Sequence, residues 1–507
     1  MQPIRLSLST DAEPRHPRLW PWTAGFLVVA AVFLGFDIAA HPIVLWDESR
    51  LAVNALEMSR RGFSLITTYG FQPDLWNTKP PLLIWLEAGS LRLFGPSEWA
   101  LRLPSLLAAL ATVGLIMRFS WRLSRSRFVT VGAAAALVFS QGYFGEHAAQ
   151  SGDYDTLLCF FTSAYLLLLF EVLHERRADA GRVLLCGVLV ACACLTKGIA
   201  GLAPGVGAFA YVVVRGRWPR LFQTPWYALA GLIVVVLVGG YYLLRERAAP
   251  GYLAAVRYNE LGYRYLHGMN GHQQPPYYYL QWVIELFSLG PLLLLLLIAP
   301  FLRWMPTRSA AFLTYAGFVV VTLLLVFSLS RTKIYWYIVP IYPIVSIALA
   351  IVVHRLLQMI PHEPGRAAGE AKLIVIVLAL YMIAAGLVQK LSLIPPHELN
   401  SQGLYGEVFA QLDRQGVRRV ATLDGGVYNN DGLVDYSPQR RFYSLIWAGR
   451  GMDIRIQDPD KPLALAAGEV LVTCDPSYHR WTLARGRSLT NMADCAAVAS
   501  SSPPRAG

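Results

Sequence analysis

The chain has 507 residues, of which 55% are hydrophobic and only 15% are charged. Soluble domains carry roughly 25% charged residues, so this composition excludes a water-soluble globular protein and favours one that spans a membrane. The formal charge of +12 would suit a nucleic-acid partner, but the arginines occur in short clusters between apolar segments. Such clusters indicate membrane topology rather than a basic binding surface, and we expect no nucleic-acid partner.

Apolar segments long enough to cross a bilayer as a helix, about 20 residues, recur along most of the chain. We predict about eleven spans, near Trp22–Ala40, Trp99–Ile116, Phe128–Phe144, Leu157–Leu173, Val183–Thr196, Ile199–Val214, Trp226–Leu244, Leu280–Leu302, Ala310–Leu329, Ile334–Val353 and Leu373–Leu391. The fifth and sixth are short and nearly contiguous, so one broken helix or a re-entrant pair are open alternatives. The basic N-terminus shows no cleavage site, which predicts an uncleaved first helix.

Lysine and arginine collect in every second loop between these spans. The basic clusters begin at Arg5, Arg118, Arg176, Arg215, Arg303 and Arg355. Because basic loops are retained in the cytoplasm, the alternate loops, and everything after Leu391, are predicted to lie outside. The outer loops carry acidic and basic side chains at the ends of spans, where charge is costly unless it is paired or functional. They therefore predict one site on the non-cytoplasmic side.

The first outer loop contains two amphipathic stretches, which predict helices over Asp47–Arg61 and Leu82–Phe94 in the membrane interface. Asp47 and Glu48 stand at the start of the first helix, where acids also favour the helix dipole by about 0.3–1 kcal/mol. Lys79 stands in a rigid turn before the second helix. A cation facing two carboxylates fits a phosphate bound beside a general base, so we predict that Asp47 and Glu48 are catalytic.

The second outer turn places two acids directly before a span. Asp153 and Asp155 could each cap that helix, but two acids and a histidine in one turn exceed what capping needs. Lys197 lies between two apolar segments, where a lysine that snorkels to the interface is the simpler interpretation. All three residues are candidates for binding the substrate.

Two later outer segments complete the set of candidates. His272 lies in a long loop and is either an acid/base group or a solvated histidine. Arg331 and Lys333 oppose the positive-inside trend, which favours a specific anionic partner. The predicted substrate-binding residues are Lys79, Asp153, Asp155, Lys197, His272, Arg331 and Lys333.

Composition changes after residue 391, which predicts a membrane domain over residues 1–391 and a small outer α/β domain over residues 392–507. The predicted elements are a helix over Glu407–Asp413 and strands over Val417–Leu423 and Glu469–Thr473, with a disordered tail from Ala497. Of the six cysteines, only Cys474 and Cys495 lie outside the apolar segments, so only they are candidates for a disulfide.

Several of these motifs occur together in the order found in the dolichyl-phosphate-mannose protein mannosyltransferase superfamily. They are Asp47-Glu48-Ser49-Arg50, Thr78-Lys79-Pro80-Pro81, Phe94-Gly95, Arg102-Leu103-Pro104, Gly152-Asp153-Tyr154-Asp155, Leu195-Thr196-Lys197-Gly198, and Lys333 with Tyr337 and Pro340. Each motif is weak alone, but the set is specific. Within the superfamily, the chain resembles bacterial members related to the aminoarabinose transferase of lipid A.

The resemblance implies a GT-C fold: an all-α polytopic membrane protein with its acidic motif on juxtamembrane helices. It implies transfer from a polyprenyl-phosphate-sugar donor to lipid A or another envelope glycan, with a protein as the less favoured acceptor. Asp47 would be the general base and Glu48 its orienting neighbour, while Lys79 and Lys333 would contact the phosphate. Asp153 or Asp155 would match the family's acid in the second outer loop. A divalent cation stays open, because some relatives place an acid where this chain has Thr78.

These expectations place the enzyme in the inner membrane of a bacterium, surrounded by membrane lipids, with its site and C-terminal domain on the periplasmic side. The alternative from a different class is a transporter or flippase for a lipid-linked sugar. A transporter predicts charges near mid-span and related halves, and the sequence shows neither pattern.

Overall fold

The computed structural model describes residues 20–145, 147–174, 179–260, 262, 273–287, 290–301, 307–359, 366–392, 401–424, 427–429, 432–434, 437–457 and 462–500. The helices before residue 393 are α1 (Trp20–Gly35), α2 (Asp47–Arg61), α3 (Leu82–Phe94), α4 (Glu98–Ser124), α5 (Arg127–Val138), α6 (Gln141–Phe144), α7 (Tyr154–His174), α8 (Ala180–Lys197), α9 (Ala203–Val214), α10 (Pro225–Val234), α11 (Gly240–Ala248), α12 (Tyr252–Val256), α13 (Tyr278–Leu286), α14 (Thr307–Leu329), α15 (Tyr342–Met359) and α16 (Arg366–Ser392).

Six helical segments of the described chain are long and apolar enough to cross a bilayer. They are Glu98–Ser124, Tyr154–His174, Ala180–Gly201, Pro225–Ala248, Thr307–Leu329 and Tyr335–Met359. Shorter apolar helices occupy Pro21–Gly35, Arg127–Val138, Ala203–Val214 and Ile376–Leu391. These ten match ten of the predicted spans, while the remaining one, Leu280–Leu302, coincides with α13 followed by a 3₁₀ segment over Gly290–Phe301. The protein is thus mostly helical, and the count of eleven stays a prediction.

The two amphipathic helices of the first outer loop have the predicted bounds, Asp47–Arg61 and Leu82–Phe94. A short antiparallel hairpin, β1 (Thr68–Tyr69) with β2 (Gln72–Pro73), lies between them. Their apolar faces are buried against each other. Amphipathic spacing is a local property of the sequence, which explains why these bounds were predictable.

The nearly contiguous fifth and sixth spans are separate helices, α8 and α9, joined by a 3₁₀ turn over Gly198–Gly201. Gly198 has φ +59°, a conformation that glycine adopts without a steric penalty. A Cβ at Gly201 would lie 2.5 Å from the carbonyl carbon of Ala193, so the turn packs tightly against the end of α8. This close turn holds Lys197 at the end of its helix.

The C-terminal part contains α17 (Tyr405–Arg414), α18 (Pro438–Gly449) and α19 (Pro476–Leu483). Its strands are β3 (Arg419–Leu423), β4 (Val427–Asn429), β5 (Gly432–Val434), β6 (Asp453–Gln457), β7 (Glu469–Thr473), β8 (Gly486–Met492) and β9 (Cys495–Ser500). Five of them form a mixed sheet in the order β6-β3-β7-β9-β8, in which β3 runs parallel to β6 and β7. The predicted helix and both predicted strands are confirmed.

Two expectations for this part have different outcomes. The Cys474–Cys495 disulfide is present and links the end of β7 to the start of β9. The tail prediction was wrong for Ala497–Ser500, because these residues complete β9 and pair with β7 and β8; residues 501–507 lie outside the described chain. The division into domains at residue 391 stays a prediction, since residues 393–400 are also outside it.

The C-terminal sheet domain rests directly on the first outer loop. One hydrophobic cluster joins α2 and α3 to α17, α18 and the sheet. The ion pair between Arg441 and Glu57, at 2.8 Å, connects α18 with α2. Glu57 also accepts bonds from Thr68 and from the backbone of the β1–β2 hairpin. Helix α2 therefore packs between the membrane helices and the C-terminal sheet region.

Candidate active site

A cavity of about 480 Å³ lies between the spans, next to the turn that carries Lys79. This volume is in the usual range for small-molecule sites. Apolar side chains of α7, α9 and α14 form its long wall, and Lys79, Asp155, Lys197 and Glu260 form its charged end. The cavity thus has one charged end and one apolar wall, as binding of a lipid-linked anion requires.

The charged end consists of two ion pairs. Lys197 Nζ lies 2.5 Å from Asp155 Oδ2, and both side chains are buried. Lys79 pairs with Glu260, which also accepts a hydrogen bond of 2.5 Å from the Thr78 hydroxyl. Each lysine therefore has an acid that balances its charge.

A second, much smaller cavity shares Lys79, Lys197 and Tyr337 with the first and adds Asp47. Asp47 is partly exposed. Its carboxylate has no hydrogen-bond or ion-pair partner within the described chain. An accessible, unpaired carboxylate beside two lysines is chemically able to accept a proton.

Glu48, the neighbour of Asp47, is in a very different environment. It is 1% exposed, and Arg102 donates two hydrogen bonds to its carboxylate at 2.7 and 2.9 Å. The backbone amides of Val44 and Gly152 donate two more, at 2.7 and 2.8 Å. With four donors from the protein, the Glu48 carboxylate is held in place rather than presented to a ligand.

Asp153 joins His147 beside Asp47. His147 Nδ1 lies 2.5 Å from Asp153 Oδ2, and the imidazole stacks on Trp336 with 3.7 Å between the ring centroids. Burial alone would raise the pKa of Asp153, but the hydrogen bond and charge of His147, with the charge of Lys197, lower it below the usual range. Asp153 is accordingly ionised at neutral pH.

Asp47, His147 and Asp153 form the one group of potential metal ligands found among the described residues. Their ligand atoms all lie within 4.8 Å of one another. Two carboxylates and an imidazole are a donor set that suits Mn²⁺ or Zn²⁺. The residues present therefore fit a divalent cation, at a position that does not involve Thr78.

Glu87 of α3 lies behind this cluster and is fully buried. Neither of its carboxyl oxygens has a hydrogen-bond partner in the described structure. Burial, together with the negative charges of Glu48 and Asp153, raises its pKa well above the usual range. Burial and the neighbouring acids therefore favour the neutral, protonated form of Glu87.

The other predicted residues lie at the edge of this arrangement. Lys333 is buried and donates to the carbonyl of Ser330 at 2.8 Å, but it does not line the large cavity. Arg331 is exposed. His272 lies outside the described residues. The structure thus brings together Asp47, Lys79, Asp153, Asp155 and Lys197, and leaves Arg331 and Lys333 outside the cavity lining.

Sequence reasoning missed three polar side chains at the site. Arg50 lies three residues after Asp47, lines the small cavity and pairs with Asp74 at 2.7 Å. Glu260 is 181 residues from its partner Lys79. His147 was noted in the second outer turn, but without a role. The motif Asp47-Glu48-Ser49-Arg50 pointed to Arg50, whereas no local signal connects Glu260 to Lys79.

Similarity to known proteins agrees with this architecture. The family described as "Dolichyl-phosphate-mannose-protein mannosyltransferase" matches residues 78–242. An undecaprenyl phosphate-alpha-4-amino-4-deoxy-L-arabinose arabinosyl transferase of Edwardsiella ictaluri is 26% identical, over 83% of this chain and 73% of its own length. A protein of the same description from Pseudomonas fluorescens is 28% identical, over 72% of this chain and 65% of its own length.

Among solved structures, the fold is similar to that of ArnT from Cupriavidus metallidurans bound to undecaprenyl phosphate. The TM-score is 0.68 at 20% identity, and the match covers 95% of this chain and 98% of that one. The helices and the small sheet therefore have the GT-C fold of that structure. The family match and the arabinosyl transferase relatives indicate an integral membrane glycosyltransferase similar to the dolichyl-phosphate-mannose protein mannosyltransferases. These similarities favour a glycosyltransferase over a transporter or flippase.

Proposed function

We propose that the enzyme transfers a sugar from a polyprenyl-phosphate donor to a hydroxyl of lipid A or another envelope glycan, on the periplasmic face of the inner membrane. The observation that carries this proposal is the large cavity, whose apolar wall lies between spans and whose end holds Lys79 and Lys197. A polyprenyl tail can lie along that wall in contact with lipid. The donor phosphate then reaches Lys79 and Lys197, which can bind it through charge-assisted hydrogen bonds.

Donor binding requires the two ion pairs at the charged end to rearrange. Glu260 and Asp155 pair with the two lysines, so a donor phosphate that binds there exchanges with at least one carboxylate. Glu260 is the more accessible of the two acids, with its side chain 18% exposed against 1% for Asp155. We therefore propose that Glu260 is the acid that gives way to the phosphate. Asp155 stays paired with Lys197 and orients it.

In the proposed reaction, Asp47 removes the proton of the acceptor hydroxyl as its oxygen attacks the anomeric carbon. The bond between that carbon and the phosphate oxygen breaks, and polyprenyl phosphate leaves with the bonding electrons. Lys79 and Lys197 stabilise the negative charge that develops on the phosphate. Glu48 has the role of orienting its neighbour Asp47. Lys333 supports the cavity lining through its hydrogen bond to the Ser330 carbonyl.

A divalent cation at Asp47, His147 and Asp153 would supply positive charge beside the departing phosphate. Its presence is testable without an activity assay. We expect purified protein to retain about one equivalent of Mn²⁺ or Zn²⁺ after dialysis, measured by elemental analysis, and His147→Ala to lose it. Equal metal content in the variant and the parent would exclude this triad as the ligand set.

The activity is testable with purified protein in detergent or nanodiscs. A polyprenyl-phosphate-sugar should release polyprenyl phosphate only when an acceptor is present, and Asp47→Asn should abolish the release. Because the Asp47 carboxylate has no partner in the described structure, the thermal midpoint of the Asp47→Asn protein should not fall below that of the parent. Full activity of Asp47→Asn would remove Asp47 from the role of base. Lipid A, a free envelope glycan and a membrane protein as parallel acceptors distinguish the acceptor classes.

The proposed topology has about eleven spans and a periplasmic site, and it can be tested by cysteine labelling of intact cells. Ser64 is exposed in the first outer loop, and Arg125 is exposed in a basic loop. We expect an impermeant thiol reagent to label Ser64→Cys in intact cells and Arg125→Cys only after lysis. The opposite pattern would place the site in the cytoplasm.

A further inference from the structure

The segment that leads into α2 connects the proposed base to the rest of the molecule. Helix α2 begins without a side-chain cap, and its N-cap residue Trp46 has φ +76°, a conformation that is rare and costly for a bulky residue. The start of this helix therefore combines a missing side-chain cap with a strained backbone, which contacts from the rest of the protein must stabilise. The position of Asp47 depends on tertiary contacts to the residues before it.

Contacts from the membrane side hold part of this segment. Arg102 donates to the carbonyls of Ile38, His41 and Pro42 at 2.8–2.9 Å, besides its bonds to Glu48. Glu48 in turn accepts the amide of Val44. These bonds leave both backbone groups of the residue in between, Ile43, without a partner from the membrane side.

The C-terminal domain supplies both missing partners. The Tyr443 hydroxyl accepts the Ile43 amide at 3.1 Å, and the Gln439 side-chain amide donates to the Ile43 carbonyl at 2.6 Å. Gln439 and Tyr443 are one turn apart on α18, so they face the same side. All three residues are at most 3% exposed. A buried backbone without these bonds would be costly, so the contact is specific as well as strong.

We propose that Gln439 and Tyr443 are positioning residues for catalysis, through which the C-terminal domain aims Asp47 at the acceptor hydroxyl. This inference rests on the proposed function of Asp47. The domain thereby becomes part of the catalytic unit rather than a separate binding module. Its effect should appear in turnover, because a misplacement of about 1 Å at a reacting group can cost about 100-fold in rate.

The chain offers a matched control within the same domain. Tyr405 and Gln402 are also a buried tyrosine and glutamine, and their bonds to Cys474 and Asp424 lie inside the C-terminal region. The double variant Gln439→Ala with Tyr443→Phe is therefore compared with Gln402→Ala with Tyr405→Phe. Both should lower the thermal midpoint, which controls for a loss of folding.

We expect the Gln439/Tyr443 variant to lose about 10- to 100-fold in kcat with an unchanged KM for the donor. The control variant should keep kcat within about twofold of the parent. Equal losses in both variants, or a parental kcat in the first, would overturn the proposal. A raised KM for the acceptor with unchanged kcat would likewise overturn it and make the C-terminal domain an acceptor-binding module.

Hydrogen exchange separates this inference from the proposed function. The amides of residues 41–52 should exchange faster in the Gln439/Tyr443 variant than in the parent or the control, whatever the substrate is. Unchanged exchange there would refute the positioning role even if the enzyme is active as proposed. Conversely, a parent that releases no polyprenyl phosphate from any donor refutes the proposed function, while faster exchange in the variant would still establish the contact.

Discussion

The cavity end with Lys79 and Lys197 and the cluster around Glu48 are both rich in buried charge, but they differ in how that charge is compensated. At the cavity, each lysine pairs with one acid and borders open space. Around Glu48, one arginine and two amides saturate the carboxylate. Charged groups that border a cavity can exchange partners with a ligand, whereas a carboxylate that four protein donors hold stabilises the structure. The difference separates the binding machinery from its support.

The largest effect should come from a variant that removes the hydrogen bonds around Glu48. Arg102→Ala leaves Glu48 as a buried, uncompensated charge, which costs about 3–5 kcal/mol of stability. It also releases the carbonyls of Ile38, His41 and Pro42. We expect a large fall in the thermal midpoint, measured in detergent, together with loss of turnover.

Arg102→Lys is the informative companion, because lysine keeps the charge but cannot make five hydrogen bonds in a fixed fork. Most of the stability loss should persist in this variant. Full rescue by lysine would mean that charge alone, and not the network of bonds, supports the start of α2.

The second largest effect should appear at the charged end of the cavity, where Lys79 lies. Lys79→Ala removes a charge-assisted contact to the donor phosphate, worth about 1.5–3 kcal/mol, so the KM for the donor should rise about 10- to 100-fold. Lys333→Ala serves as a comparison, because Lys333 bonds to Ser330 and does not line the cavity. Equal increases for both variants would show that the cavity lining does not identify the phosphate contacts.

Glu87 is the exception within the buried cluster around Glu48. Its carboxyl group has no described partner, and its pKa is raised. Because the folded-state pKa is raised, the unfolded chain releases this proton at a lower pH than the folded protein does. The parent therefore loses stability relative to Glu87→Gln as pH rises above the ordinary glutamate pKa, by about 1.4 kcal/mol per pH unit. The loss levels off above the folded-state pKa.

This prediction is measured as the difference in unfolding free energy between Glu87→Gln and the parent at several pH values. The difference should be smallest at acidic pH, where the glutamate is protonated in both states. A difference that does not vary with pH would mean that the pKa of Glu87 is not raised in the folded protein.

The smallest expected effect has the opposite sign. Glu260→Gln removes the negative charge that competes with the donor phosphate for Lys79, so the KM for the donor should fall by about fivefold, equivalent to roughly 1 kcal/mol. Glu246→Gln is the matched control, because within the described residues that partly exposed acid bonds to nearby backbone amides and does not pair with a lysine. A rise in KM for Glu260→Gln would make Glu260 part of the donor site rather than its competitor.

The sequence by itself indicated the membrane class, the resemblance to a glycosyltransferase family, both amphipathic helices over Asp47–Arg61 and Leu82–Phe94, and the cysteine pair of the disulfide. These features depend on composition, on helical periodicity and on motifs of a few residues, all of which are local. The sequence also selected Asp47, Lys79, Asp153, Asp155 and Lys197, which the structure brings together. Their roles stay predictions until the variants are measured.

Only the tertiary structure decided which acid is available and which is held. Asp47 and Glu48 are adjacent and alike in sequence, but Arg102 saturates one of them and leaves the other open. Likewise, Glu260 reaches Lys79 across 181 residues, and Gln439 reaches Ile43 across 396. No local pattern encodes such contacts, because they exist only once the spans and the C-terminal domain have packed and buried polar groups must find partners.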